Sequence, residues 1–237
     1  MSTFVVCHDA WEGGWAWQDV GRALAARGHA VHRPSLTGLG ERRHLGHPGI
    51  DLSAHRQDIL ELLIFEELQD VVLVGHGYGA MVAAGVADDA PERVALLVLL
   101  DPFLPRRGQS FLDLFAGTPI AEQLVGEAKA YGDGWRVASP VPPTDVRAAD
   151  QPLGTLQEGL RLRHPPRVQR VGIACSRREP LPLYAPVAGA CQELRAQDVP
   201  LREILCGHRA PGEAPEELAA LLDDLAAGVT GRLARKE

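Results

Sequence analysis

A glycine-rich turn lies where an enzyme could hold a nucleophile. Gly75-His76-Gly77-Tyr78-Gly79 follows one apolar run and precedes another, which predicts a strand that turns sharply into a helix. In the pattern G-x-S-x-G the central serine attacks the substrate, and the next backbone N–H faces the oxyanion. Gly77 occupies the central position here. Because the turn has neither serine nor cysteine, we expect ordinary esterase activity to be lost or very low.

The elements that position this turn alternate along the chain. Strand-like and helix-like runs follow one another, which is typical of a mostly parallel, doubly wound sheet with helices on both faces. The sequence therefore predicts an α/β protein. The predicted strands are 4–8, 29–35, 71–76, 94–101, 170–176 and 201–207, and the predicted helices lie near 16–27, 53–67, 78–89, 183–196 and 214–228.

The alternation stops in a proline-rich segment, about 102–168, which contains short amphipathic pieces. We interpret this segment as a helical cap inserted after a strand. The prediction is one domain over 1–237, with a core formed by 1–101 and 169–237.

Composition limits the kind of partner. The chain has 237 residues, is 46% hydrophobic and carries a formal charge of −7, so one sizeable core is expected and nucleic acid is an unsuitable partner. The longest apolar run, VALLVLL, is too short to span a membrane, and the start of the sequence lacks a targeting pattern. We expect a soluble, cytoplasmic protein that binds a small-molecule substrate, and homodimer formation stays open.

No metal or cofactor is expected. The nine histidines show neither H-x-E nor HExxH spacing, so the sequence gives only weak support for a metal site.

Four stretches carry a resemblance to a known family. CHDAWEGGWAW is similar to that family's HGAWHGGWAW, RPSLTGLGERRHL to its PTLTGLGERSHL, and DVVLVGHGYG to its DVVLVGHSYG, while CGHRAPGEAPEELAALL resembles its terminal GH…PEELA. The chain thus resembles the α/β-hydrolase fold superfamily, within it the small esterase and hydroxynitrile-lyase branch, over nearly its whole length.

The resemblance implies positions for a catalytic triad. Gly77 takes the place of the serine and His208 that of the histidine. The acid stays open between two residues. The family's usual aspartate corresponds to Arg178, with Glu179 one residue later, and Asp101 at the end of an earlier strand is the second candidate.

The first loop also departs from the family pattern. Asp9 stands where the esterases have glycine and the hydroxynitrile lyases have a threonine that faces the substrate, so a carboxylate is expected close to Gly77. Arg209 after His208 resembles a lysine of those lyases. Trp11 is a candidate for the pocket wall.

These residues suggest acid/base chemistry. We expect the backbone N–H groups of Ala10 and Tyr78 to form an oxyanion hole, one donor being worth on the order of 3 kcal/mol. His208 is the expected general base or acid, with Asp9 as its partner carboxylate. Loss of the serine side chain at Gly77 is expected to make room for a bulkier substrate.

Several functions fit this set of groups. The leading prediction is a non-hydrolytic enzyme, lyase- or isomerase-like, that closes a ring or forms a carbon–carbon bond on a small aromatic, polyketide-type intermediate of natural-product biosynthesis. The first alternative is a hydrolase, of esterase or epoxide hydrolase type, in which His208 or Asp9 activates water directly. A non-catalytic protein that binds a small ligand is the other alternative, and Gly77 is also explained by decay or by an engineered replacement of a serine.

Overall fold

A six-stranded parallel sheet forms the centre of the molecule, in the strand order β2-β1-β3-β4-β7-β8. This computed structural model describes residues 1–141 and 145–233, with side chains up to residue 228. The strands of the sheet are β1 (Thr3–Cys7), β2 (Ala30–His32), β3 (Val71–His76), β4 (Val94–Leu100), β7 (Arg170–Cys175) and β8 (Leu201–Ile204). The predicted α/β architecture, a mainly parallel sheet with helices on both faces, is confirmed.

The sheet is covered on both faces. Val5 and Cys7 of β1 belong to one buried cluster, and Phe4 and Val6 belong to a second cluster on the opposite face. Successive side chains of a strand point to opposite faces, so a strand covered twice needs apolar residues throughout. This explains why β3 and β4 show a continuous apolar run.

The helices divide between these two clusters. Those that pack on the Val5 face are α2 (Leu52–Phe65), α3 (Gly79–Asp89) and α6 (Ala185–Ala196), whereas α1 (Gln18–Ala26) and α8 (Pro215–Leu233) pack on the Phe4 face. A short helix, α7 (Ala210–Glu213), precedes α8. No helix in the described ranges is long and apolar enough to cross a membrane.

The segment between β4 and β7 corresponds in position to the predicted cap. It contains α4 (Ile120–Tyr131), an antiparallel pair of two-residue strands, β5 (Arg136–Val137) and β6 (Gln151–Pro152), and the short helix α5 (Leu153–Gln157). The β5–β6 pair was not predicted, because two residues are too few to show the alternation of a strand.

Three predicted elements end three or more residues away from their predicted ends. β2 stops at His32, before Pro34, whose ring nitrogen has no hydrogen for a strand ladder. β8 stops at Ile204, and the chain then bends to carry His208 over the sheet. The terminal helix extends from Pro215 to Leu233, five residues beyond the predicted end.

Candidate active site

The candidate site lies at the carboxyl ends of the parallel strands. Asp9 follows β1, Gly77 follows β3, Asp101 follows β4, and His208 follows β8. Parallel strands present their carboxyl ends at one edge of the sheet, so four residues far apart in sequence meet there. Three of these four are both polar and buried, namely Asp9, Asp101 and His208.

Gly77 forms the sharp turn between β3 and α3. Its φ angle is +52°, in the left-handed region that favours glycine. Its N–H donates to the carbonyl of Leu100 at 3.1 Å, and its own carbonyl accepts the N–H of Phe103 at 3.0 Å. The turn is therefore fixed to the chain that follows β4.

The carboxylate of Asp9 occupies the space above this turn. A Cβ atom on Gly77 would lie 2.0 Å from Asp9 Oδ1 and 2.3 Å from Asp9 Cγ, far inside van der Waals contact. The expectation that Gly77 makes room for a bulkier substrate was wrong, because a side chain from the neighbouring loop fills that room.

Asp9 also changes the expected oxyanion hole. The backbone N–H of Tyr78 donates to Asp9 Oδ1 at 2.6 Å. A carboxylate is a stronger acceptor than a neutral carbonyl, so in this state Tyr78 does not offer its N–H to a substrate. The prediction for Tyr78 was wrong in this respect. Ala10 lies beside Asp9 in the buried loop and lines the cavity, and the role of its N–H stays a prediction.

His208 connects Asp9 to a second carboxylate. Its Nε2 lies 3.0 Å from Asp9 Oδ2, and its Nδ1 lies 2.6 Å from Asp101 Oδ2. The imidazole is 1% exposed, so both contacts are shielded from bulk water. The result is a continuous Asp9–His208–Asp101 chain of hydrogen bonds.

Of the two acids that the sequence left open, Asp101 contacts His208. Asp101 is fully buried, accepts the N–H of Cys175 at 3.0 Å and forms an ion pair with Arg178. Both ring nitrogens of His208 are bonded to Asp101 and Asp9, so the exposed Glu179 is not the acid that partners His208. The arginine that stands at the family's usual acid position instead reaches back to the acid on the neighbouring strand.

The protonation states of His208, Asp9 and Asp101 depend on one another. Burial alone would lower the pKa of His208, but hydrogen bonds to Asp101 and Asp9 raise that pKa to about 9. Burial would raise the pKa of Asp9, and the hydrogen bond and charge of His208 outweigh it, so the pKa is lowered. The pKa of Asp101 is also lowered, since Arg178 and His208 overcome its burial. At neutral pH the chain therefore holds an imidazolium between two carboxylates.

Two further histidines hold the loops in place. His8 Nδ1 lies 2.8 Å from the carbonyl of Asp9, and its Nε2 accepts the N–H of Leu36 at 3.0 Å. His76 Nε2 lies 2.8 Å from the carbonyl of His208. Burial lowers the pKa of both rings, that of His76 to about 4, so both are neutral at pH 7. These contacts give both histidines a structural role in the loops around the site.

A small cavity opens beside Asp9. Its volume is about 40 Å³, room for a few water molecules, and its walls include Glu12, Trp15, Tyr184 and Arg209. A larger cavity of about 490 Å³ lies under α4 and shares the side chains of Ser139, Val141 and Leu183 with it. Because the shared walls are mainly apolar, the larger cavity suits a non-polar part of a ligand.

Trp11 lies in the wall of the small cavity and joins the first loop to the cap. Its indole N–H donates to the carbonyl of Val137 at 2.8 Å, and its ring packs edge-on against Phe111. The backbone N–H of Trp11 donates to the side chain of Gln151 at 3.0 Å. Arg209, the residue after His208, lines the same cavity.

Sequence reasoning missed two groups at the cavity. Burial and the nearby charge of Asp9 raise the pKa of Glu12 to about 8, and Tyr184 stacks on His208 with ring centroids 4.3 Å apart. A signal for Glu12 was present in the sequence, because glutamate replaces the histidine of HGAWHGGWAW. Tyr184 had no such signal, since only the fold brings it to His208.

One cluster in the described part of the chain has the composition of a metal site. Asp9, His76 and His208 each offer a ligand atom within 4.8 Å of the others. Nε2 of His208 is already hydrogen-bonded to Asp9, and Nε2 of His76 to a backbone carbonyl. That the chain uses no metal stays a prediction.

Several known proteins are similar to this chain in sequence. The sequence model of a family described as "Alpha/beta hydrolase family" matches residues 4–221. A "Carbendazim hydrolyzing esterase" of Nocardioides sp. (strain SG-4G) is 40% identical over 147 residues, 60% of this chain and 61% of that protein. An "Alpha-hydroxynitrile lyase" of Arabidopsis thaliana is 30% identical over 103 residues, 43% of this chain and 40% of that protein. The matches therefore span less than two thirds of either relative.

A solved structure extends the comparison to most of the chain. An extracellular alpha/beta-hydrolase from a Paenibacillus species superposes with a TM-score of 0.79, covering 94% of this chain and 98% of that one at 20% identity. At this level of identity the match shows the fold alone.

Proposed function

The chain belongs to the alpha/beta hydrolase family, and we propose that it is a hydrolase in which Asp9, His208 and Asp101 replace a serine triad. The observation that carries this proposal is the position of the Asp9 carboxylate. It fills the space of a side chain on Gly77 and lies 3.0 Å from His208 Nε2. A carboxylate thus stands where a serine hydroxyl would contact the imidazole.

Water is the proposed nucleophile. A water molecule from the small cavity replaces the direct contact between Asp9 and Nε2 of His208 and gives one proton to that nitrogen in its neutral form, while Asp9 holds the water by accepting its other hydrogen. Asp101 keeps the ring oriented through Nδ1, at 2.6 Å. Because the pKa of His208 is about 9, only a minor fraction of the base is neutral at pH 7, and activity rises with pH.

The occupied N–H of Tyr78 restricts the substrate. An ester carbonyl that cannot reach this donor loses a stabilisation on the order of 3 kcal/mol in its transition state. Negative charge on the substrate oxygen must then be neutralised in another way. This requirement favours activated esters, and epoxides whose oxygen leaves carbon as an alcohol.

Hydrolysis has more support than ring closure. A relative that matches 60% of the chain is described as an esterase, and none of the relatives compared is described as a polyketide cyclase. Ring closure or carbon–carbon bond formation on a polyketide-type intermediate stays a prediction without support from them. Binding without turnover is also less well supported, since it gives no role to an imidazolium buried between two carboxylates.

The test uses 4-nitrophenyl acetate and styrene oxide as probes, with single turnovers in water enriched in oxygen-18. We expect hydrolysis of at least one probe, with the label in the acid or diol released in the first turnover. Label that enters the peptide containing Asp9 instead would show a covalent intermediate on that carboxylate, an anhydride with the acetate or an ester with the epoxide, and would exclude direct attack by water. No hydrolysis of either probe above the rate of the His208→Ala variant would contradict the proposed function.

A further inference from the structure

Two buried polar atoms in the wall of the small cavity have no hydrogen-bond partner among the described residues. They are Oε2 of Glu12 and Nε1 of Trp15. A buried polar atom without a partner costs about 1–3 kcal/mol, so its retention in a wall that faces the candidate site calls for a ligand or a reaction.

Glu12 and Asp9 form a pair of carboxyl groups with opposite protonation. Asp9 is held as an anion by Tyr78 and His208, at 2.6 and 3.0 Å. Glu12 is half-buried, with its Oε2 fully buried, and it lies next to that anion and keeps its proton at neutral pH, since its pKa is about 8. Two neighbouring carboxyl groups whose environments separate their pKa values are a common arrangement for an acid and a base.

We propose that Glu12 is the general acid of this site, which gives its proton to the oxygen that leaves the substrate. This proposal rests on the proposed hydrolase function. The N–H of Tyr78 is bonded to Asp9 and does not stabilise negative charge on a substrate oxygen. A proton from Glu12 neutralises that charge instead. No other role assigned above uses the unpartnered oxygen of Glu12.

In the proposed hydrolysis, one bond forms, one bond breaks and two protons move. The water oxygen forms a bond to the substrate carbon, and its proton moves to Nε2 of His208. The carbon–oxygen bond breaks with its electron pair on the leaving oxygen, which takes the proton of Glu12. Transfer of one proton from His208 to Glu12 through cavity water restores the starting state.

The groups around Glu12 determine its titration. Its carboxyl group feels charge from Asp9, which raises its pKa, and from His208 and Arg209, which lower it. Tyr184 and Asp145 also line the cavity, and Asp145 is paired with Arg147. The burial of Glu12 and the charge of Asp9 together prevail over the two cations.

A pH profile of wild type and Glu12→Gln tests the acid directly. The wild type needs neutral His208 and protonated Glu12. A plot of kcat/KM for phenyl acetate against pH is therefore expected to be a narrow bell between the pKa of Glu12, about 8, and the pKa of His208, about 9. In Glu12→Gln the decline on the alkaline side is expected to vanish, leaving a simple rise through about 9. A variant that keeps the full bell would overturn the role of Glu12.

Leaving groups of different quality provide the second measurement. Phenol is a poorer leaving group than 4-nitrophenol and needs the proton more. We expect Glu12→Gln to lower kcat/KM for phenyl acetate by about 100-fold or more, and that for 4-nitrophenyl acetate by about threefold or less. Glu66→Gln, which changes an exposed glutamate at the end of α2, serves as the control. Equal losses for the two esters would contradict the proposal.

A third measurement does not depend on turnover. Infrared difference spectra of the wild type between about pH 6 and pH 10 are expected to show a protonated carboxyl band that Glu12→Gln lacks. If neither the esters nor styrene oxide are hydrolysed but this band is present, the hydrolase function fails while the protonated Glu12 stands. If esters are hydrolysed and the band is absent, only the role of Glu12 fails.

Discussion

The carboxylate of Asp9 and the backbone of Gly77 exclude any side chain at position 77, because a Cβ atom there would lie 2.0 Å from Asp9 Oδ1. The two residues come from separate loops, after β1 and after β3. The Asp9 carboxylate fits at its position because residue 77 is glycine. A substitution at either position is therefore expected to change the effect of a substitution at the other.

Gly77→Ser alone is expected to destabilise the protein without restoring esterase activity. The new side chain overlaps Asp9, and its backbone keeps a φ angle of +52°. We expect a loss of about 1–3 kcal/mol in the free energy of unfolding, measured by chemical denaturation. Gly28→Ser is the matched control, since Gly28 also has a positive φ angle but no heavy atom within 4 Å of its Cβ position.

The double variant Asp9→Gly/Gly77→Ser is expected to behave differently. Removing the carboxylate frees both the space at the turn and the N–H of Tyr78. We expect the double variant to be more stable than the sum of its single changes implies, and to release a burst of 4-nitrophenol from 4-nitrophenyl acetate. Additive stabilities with no burst would show that Asp9 and Gly77 are not coupled.

Asp101→Asn and Glu179→Gln separate the two candidate acids. Asp101 contacts His208 and Arg178, so the asparagine variant lowers the pKa of His208 and leaves the arginine without its buried partner. We expect kcat/KM to fall by about 100-fold or more and stability by about 3 kcal/mol. Glu179→Gln is expected to keep wild-type activity, since that side chain is exposed. A large loss of activity in Glu179→Gln, with Asp101→Asn unchanged, would show that Glu179 is the acid.

Stability is expected to fall as pH rises from about 6 to about 9. The folded pKa of His208, about 9, lies above its ordinary value of 6.5, so its contribution is complete below 6.5 and is lost as pH rises through about 9. Glu12 acts in the same direction, because the folded protein binds its proton more tightly between 4.5 and about 8. Melting temperatures across this range measure the effect, and Glu12→Gln is expected to show a smaller decline. A melting temperature that rises between pH 6 and pH 9 would contradict both assignments.

The strand alternation and the four family-like stretches were enough to predict the sheet, the turn at Gly77 and the meeting of Asp9 with His208. The choice between Asp101 and Glu179 was beyond the sequence, because it depends on which strand end lies next to His208. The sequence also could not show that the side chain of Asp9 fills the space beside Gly77. A glycine in a sequence shows that a side chain is missing and does not show which neighbour enters the space.

Glu12 illustrates a further limit. Its pKa depends on burial and on the charge of Asp9, three positions earlier in the chain, and only the fold determines both. The small β5–β6 pair was missed for a related reason. Its two strands are far apart in the sequence, and Trp11 of the first loop donates a hydrogen bond to each of them, at Val137 and Gln151.

The role of the Asp9 carboxylate is tested most directly by kcat/KM of Asp9→Asn for 4-nitrophenyl acetate or styrene oxide, whichever the wild type hydrolyses, at about pH 8.5. Asparagine is nearly isosteric, keeps an oxygen for the N–H of Tyr78 and removes the charge beside His208. We expect kcat/KM to fall by about 10²–10⁴-fold, whereas Asp224→Asn, which changes an exposed residue, is expected to keep the wild-type value. Activity of Asp9→Asn within about threefold of the wild type would show that the carboxylate at the serine position takes no part in the reaction.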